Sequence, residues 1–73
     1  MMAEYAVYRN KDSSDTVRYG ITLSVGGFIT RVIPDIGDDY DTIERLVQLF
    51  NDEDLDPVHL DQAVEDFLID RMI

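Results

Sequence analysis

The sequence predicts an α+β fold: a three-stranded antiparallel β-meander followed by two α-helices packed on one face of it, in the order β-β-β-α-α. Three observations predict it. Apolar residues recur about every second position before Pro34 and at about the 3.6-residue helical period after it. Gly26-Gly27 divides two strand-like segments as a tight hairpin turn would. The charge divides where the period changes. Residues 1–34 hold three acidic and four basic side chains, a net charge of +1. Residues 35–73 hold thirteen acidic and two basic ones, a net charge of −11, and together they make the chain's −10. A near-neutral sheet should therefore carry an acidic helical layer.

Glu4–Arg9, rich in Tyr and Val, reads as the first strand, and the polar Asn10–Thr16 as a loop. Val17, Tyr19, Ile21, Leu23 and Val25 alternate with Arg18, Gly20, Thr22 and Ser24, the pattern of a half-buried second strand. Gly26 and Gly27 suit a type I′ or II′ turn because such turns need positive φ. Phe28–Ile33 returns as the third strand, and Pro34, which cannot donate to a ladder, ends it. A two-residue turn pairs Val25 with Phe28, Leu23 with Thr30 and Ile21 with Val32 on the core face. Ser24/Ile29, Thr22/Arg31 and Gly20/Ile33 then share the other face. A longer loop would slip this register, and a slip of one residue inverts the face of the third strand.

Asp41 and Glu44 have the spacing of a capping box, which starts a helix at Asp41. Ile43, Leu46, Val47 and Phe50 form its apolar stripe, and Asn51–Asp54 end it. Asp56-Pro57 starts a second helix, with the acid as N-cap and proline in the first turn. Its stripe is Leu60, Ala63, Val64, Phe67, Leu68 and Met72. Asp61, Glu65, Asp66 and Asp70 lie mainly off that stripe, and Arg71 suits the negative end of the helix dipole.

At 73 residues the chain has room for a single domain, residues 1–73, with a small core. It has no cysteine, so neither a disulfide framework nor a thiolate metal site can brace it. A 45% hydrophobic content is that of a globular protein. No apolar run reaches membrane-spanning length and Met1–Arg9 has no signal-peptide pattern, which makes a soluble cytoplasmic protein the expectation. The acidic balance disfavours direct binding to nucleic acid or anionic membranes and favours cations, basic proteins or solubility alone.

Chemical signatures are sparse. Asp52, Asp54 and Asp56 match positions 1, 3 and 5 of an EF-hand loop, but Pro57 stands where Gly is needed and Ala63 where a bidentate Glu is needed. A solvated interhelix loop whose last acid caps a helix explains them better. Asp35, Asp38, Asp39 and Asp41 lie in a strand-to-helix connection, where acids favour the positive end of the helix dipole. His59 is the single histidine, and no nucleophile accompanies it in a triad pattern. No glycine-rich phosphate loop is present, so no enzyme and no cofactor are expected. The face expected to be open carries Arg18, Thr22, Ile29, Arg31 and Ile33, with Gly20 as a flat spot. Exposed Ile beside Arg is an interface-like composition.

Leu49-Phe50-Asn51, Leu55-Asp56-Pro57-Val58-His59-Leu60 and Val64-Glu65-Asp66-Phe67-Leu68, with Tyr19-Gly20-Ile21 upstream, resemble a family of small uncharacterised Firmicutes proteins, a domain of unknown function. The resemblance covers most of Val17–Leu68 and is most specific in the Phe-Asn…Pro-x-His-Leu…Glu-Asp tail. It implies a bacterial cytoplasmic protein and carries no known activity or cofactor. Asn51 and His59 are the tail positions that helix formation explains least, which makes them candidates for recognition. The expected function is a non-enzymatic protein-interaction domain, self-associating as a homodimer or binding a protein partner through the open sheet face. The alternatives are an acidic nucleic-acid mimic that inhibits a basic protein, and a weak divalent-cation module.

Overall fold

The computed structural model describes residues 2–72, with Met72 in its backbone alone, so its place in the second helix's stripe lies outside the described side chains. Three strands, β1 (Ala3–Lys11), β2 (Val17–Val25) and β3 (Phe28–Gly37), precede a helix, α1 (Tyr40–Asp52). A 3-10 turn, Pro57–His59, then leads into the second helix, α2 (Leu60–Met72). The strands form one antiparallel sheet in the order β1-β2-β3. The expected α+β meander with two following helices is therefore the fold.

Both hairpins have local causes. Asp12 bends the β1–β2 loop by accepting hydrogen bonds from the Ser14 N–H at 2.9 Å and the Thr16 N–H at 3.1 Å. Those bonds, with the Ser14 hydroxyl first among the causes, hold the Asp12 carboxyl below the ordinary carboxylate range. Gly26 and Gly27, at φ 61° and 87°, make the two-residue β2–β3 turn and pair Val25 with Phe28.

Two irregularities in β3 change the expected register. Ser24 pairs with Ile29 as expected, but Leu23 pairs with Arg31, Thr22 with Val32 and Ile21 with Ile33. Thr30 is the extra residue, its hydroxyl donating to the Leu23 carbonyl at 3.3 Å. Arg31 and Ile33 thereby turn to the helix side and Val32 to the open side. The second irregularity sets Tyr19 opposite Gly37, with Pro34, Asp35 and Ile36 bulging against Gly20. Pro34 does not end the strand, because β3 is an edge strand and a bulge requires no N–H there. Ile36, carried past the bulge, is buried in the core.

The core lies between the sheet and the helices. Tyr5, Ile21, Leu23 and Ile36 from the strands meet Ile43, Leu46, Val47 and Phe50 of α1 and Leu60 and Val64 of α2. Asp39, two residues before the expected cap, is the N-cap of α1, and its carboxylate accepts from the Thr42 hydroxyl. The Thr42 hydroxyl first, and the Arg71 charge least, hold Asp39 below the ordinary carboxylate range, and Phe67 of α2 lines one hollow with Thr42 and Arg45 of the first half of α1. Asp56 caps the 3-10 turn, accepting from the Val58 N–H at 3.1 Å. Leu68 was expected on the buried stripe of α2 but is exposed, because the core ends about one turn earlier.

Candidate interaction surface

Among the described residues no element covers the sheet face opposite the helices. Strand parity places Ala6 and Tyr8 of β1, Arg18, Thr22 and Ser24 of β2, and Ile29 and Val32 of β3 on it. Ile29 is 66% exposed and Val32 42% exposed. Of the five residues expected here, Arg18, Thr22 and Ile29 are in place. Arg18 is engaged, its Nε donating to the Asp35 carboxylate at 2.7 Å, which raises the guanidinium above its ordinary value.

Arg31 and Ile33 have other roles. Arg31 grips Asp61 at the start of α2 with two hydrogen bonds, of 2.7 and 3.2 Å. These bonds hold the Asp61 carboxyl below the ordinary range. The pair is exposed and adds direction more than stability. Ile33 packs against the core. Val32 takes the open-face position instead, and only the bulge at Thr30 puts it there.

Asn51, at the end of α1, clamps the outer edge of β1. Its Oδ1 accepts from the Tyr5 N–H at 2.9 Å, and its Nδ2 donates to the Tyr5 carbonyl at 2.9 Å. A side-chain amide thus imitates one residue of a fourth strand and ends the sheet. The Tyr5 hydroxyl donates to the Leu55 carbonyl at 2.7 Å. Burial first, then the charges of Asp56 and Asp54, push the phenol up, which keeps it a neutral donor. Its ring meets Phe50 edge-on at 5.6 Å. His59 is exposed on the 3-10 turn, its backbone N–H donating to the Asp56 carbonyl at 2.8 Å. Among the described residues no three His, Cys, Asp or Glu side chains gather as a metal site would require, and Asp52, Asp54 and Asp56 form no such group. No described helix is long and apolar enough to cross a membrane.

A model of the Family of unknown function (DUF6514) matches residues 1–70. The chain belongs to that family. No curated protein and no solved structure matches it. Membership agrees with the resemblance read in the tail, in that the family is one of unknown function. In this DUF6514 chain the match extends upstream over all three strands, so the sheet and the helical tail belong to one family unit.

The geometry of Asn51 in this DUF6514 protein carries a prediction. Asn51→Ala leaves the Tyr5 N–H and carbonyl without their side-chain partner. A net hydrogen bond contributes about 1 kcal/mol, and a half-buried group left unpaired costs more, so the expected loss is about 1–3 kcal/mol. Urea denaturation measures it. A midpoint equal to wild type would show that Asn51 does not hold β1 and is spare for recognition.

Proposed function

We propose that this protein is a non-enzymatic interaction domain that self-associates through its open sheet face, two copies packing sheet to sheet. The observation that carries the proposal is the exposure of Ile29 and Val32 on a face that no described element covers. The charge distribution supports it. The thirteen acids of residues 35–73 lie mostly in the helical layer on the far side, whereas residues 1–34 carry a net charge of +1. Back-to-back sheets sit about 10 Å apart and leave both acidic layers pointing outward, where their repulsion is weakest. A small core gains most from such a contact. The tail's resemblance to small Firmicutes proteins is what supports a bacterial cytoplasmic setting for it.

Sedimentation equilibrium tests the proposal. The expected result is a dimer whose dissociation constant changes little with salt, because the contact is apolar. Ile29→Asp puts a charge in the contact and should give a monomer that melts where wild type diluted to monomer does, since the Ile29 side chain is 66% exposed within one copy. A wild-type chain that stays monomeric at millimolar concentration would overturn the proposal.

A further inference from the structure

The helical layer carries a second surface, independent of the sheet. α1 and α2 leave a cleft of about 310 Å³ along their outer side. Leu46, Leu49, Phe50, Leu55, Ala63 and Phe67 make its apolar floor and walls. A neighbouring hollow shares Leu46, Leu49 and Phe67 and continues the cleft along α1 to Thr42 and Arg45. Leu49 stands on its shoulder, 48% exposed although it lies within a helix that is otherwise well seated. Glu53, Asp66 and Asp70 rim the deeper part. Among the described residues none of these three is in an ion pair, the pairs being Lys11–Asp15, Arg18–Asp35 and Arg31–Asp61. Asp66 accepts one hydrogen bond from Gln62, at 2.9 Å. Arg45 lines the shallow end, and the Arg71 guanidinium stands over the Phe67 ring, 5.5 Å from its centroid, so cations meet the wall at the end away from Glu53.

We propose that this cleft docks a basic amphipathic helix of a partner protein. The shape supports a helix. Leu46, Leu49 and Glu53 on α1, and Ala63, Phe67 and Asp70 on α2, recur at the three- and four-residue spacing whose ridges receive the side chains of a third helix. The charge selects the partner. Apolar side chains of the incoming helix would fill the cleft, and flanking Lys or Arg would meet Glu53, Asp66 and Asp70. A second copy of this chain fits poorly, because it would bring its own acidic helices against this rim, in a molecule of net charge −10.

The probe is a synthetic helical peptide of about four turns with a Leu stripe at helical spacing and Lys on both flanks. A second peptide carries Glu in place of Lys. Both are titrated into the intact, isotopically labelled protein and followed by backbone amide shifts. The Lys peptide should move Leu46, Leu49, Ala63 and Phe67 and leave Thr22, Ile29 and Val32 unmoved. Its affinity should fall steeply with salt. Leu49→Ala should weaken it about tenfold, as truncating a central apolar anchor does. The triple variant Glu53→Gln, Asp66→Asn, Asp70→Asn should weaken it by a similar factor and flatten the salt dependence, and all its changes lie on exposed side chains that leave the core intact. Ile29→Asp should bind the peptide as wild type does, so failure of the sheet contact and failure of the cleft are separable. The proposal is overturned by an absence of shifts at millimolar peptide, by shifts confined to the sheet face, or by equal binding of the Glu peptide. Concentration-dependent shifts at the cleft without peptide would also overturn it, by making a second copy the occupant.

Discussion

Gly20→Ala is expected to unfold this protein or bring it to the edge of unfolding. A Cβ at position 20 would lie 1.8 Å from the Ile33 carbonyl oxygen and 2.7 Å from the Pro34 carbonyl carbon. Both are backbone atoms of the neighbouring strand, so no side-chain rotation relieves the clash. The glycine is required by close approach and not by its torsion angles, since positive φ among glycines belongs to Gly26 and Gly27. The bulge at Pro34 draws β3 onto Gly20, and the same bulge carries Ile36 into the core. To admit a methyl group, β3 must move away and lift Ile36 with it. Overpacking of this kind costs about 3 kcal/mol or more when backbone must shift. A small domain holds about 0.05–0.15 kcal/mol per residue in total, so most of its stability is at stake. Gly27→Ala is the contrast: nothing lies within 4 Å of its Cβ, and only its φ of 87° penalises a side chain. That variant should lose about 1–2 kcal/mol. Circular dichroism against temperature separates the two, and a Gly20→Ala protein that melts within a few degrees of wild type would mean that the strands do not approach as closely as this.

Local signals made most of this fold legible. The Val17–Val25 alternation, the Gly26-Gly27 turn, the α1 stripe and the Asp56-Pro57 start all act within a few residues of the chain, where sequence and conformation are directly tied. Register is different. Ser24 with Ile29 follows from the turn, but the next pair depends on whether Thr30 is inside the ladder or extruded from it. An uninterrupted ladder therefore misplaces Arg31, Val32 and Ile33 together. The chain did contain a warning. A glycine inside an alternating strand and a proline in the segment facing it both mark bulges more often than strand ends. Capping shows a related limit: Asp38, Asp39 and Asp41 can each start a helix, and the position of Ile36 and Ile43 in the core selects Asp39.

The surfaces were legible to the extent that they depend on strand parity or helix stripes. Thr22 and Ile29 follow from parity, and the substitution of Val32 for Arg31 and Ile33 follows from the one extruded residue. The tail motif singles out Asn51 as a candidate for recognition, but its clamp on β1 could not be read, because its two hydrogen bonds join residues 46 positions apart. Its sole local signal is a poor helix former at a helix end. The cleft was also out of reach of periodicity. Leu49 lies at the margin of the α1 stripe, one turn after Leu46, and only the return of α2 beside it makes it the shoulder of a groove.

Leu60→Ala should have the other large effect, because the seat of α2 is concentrated at its first residue. Leu60 is 0% exposed, and Val64 one turn later is also buried. Beyond them Ala63 and Phe67 are only partly covered, and Leu68 and Ile69 face solvent. The Arg31–Asp61 pair lies at the same end but is exposed, so it cannot hold the helix once the apolar anchor is gone. Removing a fully buried Leu side chain costs about 2–5 kcal/mol in lost burial and cavity formation. Because the 3-10 turn delivers Leu60 to the core directly behind Asp56, little slack exists for the helix to settle into the vacated space. The expected result is a loss near the upper part of that range, with amides of α2 exchanging hydrogen before those of β1, β2 and α1. Leu68→Ala, which removes a side chain 38% exposed and outside the core cluster, should lose clearly less. The pair of variants distinguishes two ways of holding a terminal helix. If Leu60→Ala and Leu68→Ala cost the same, α2 is held along its whole length and the Ala63–Phe67 wall of the cleft is rigid in its own right. If Leu60 dominates, that wall stands only because one leucine, set by Asp56 and Pro57, fastens its near end to Ile21 and Leu23 through the shared core.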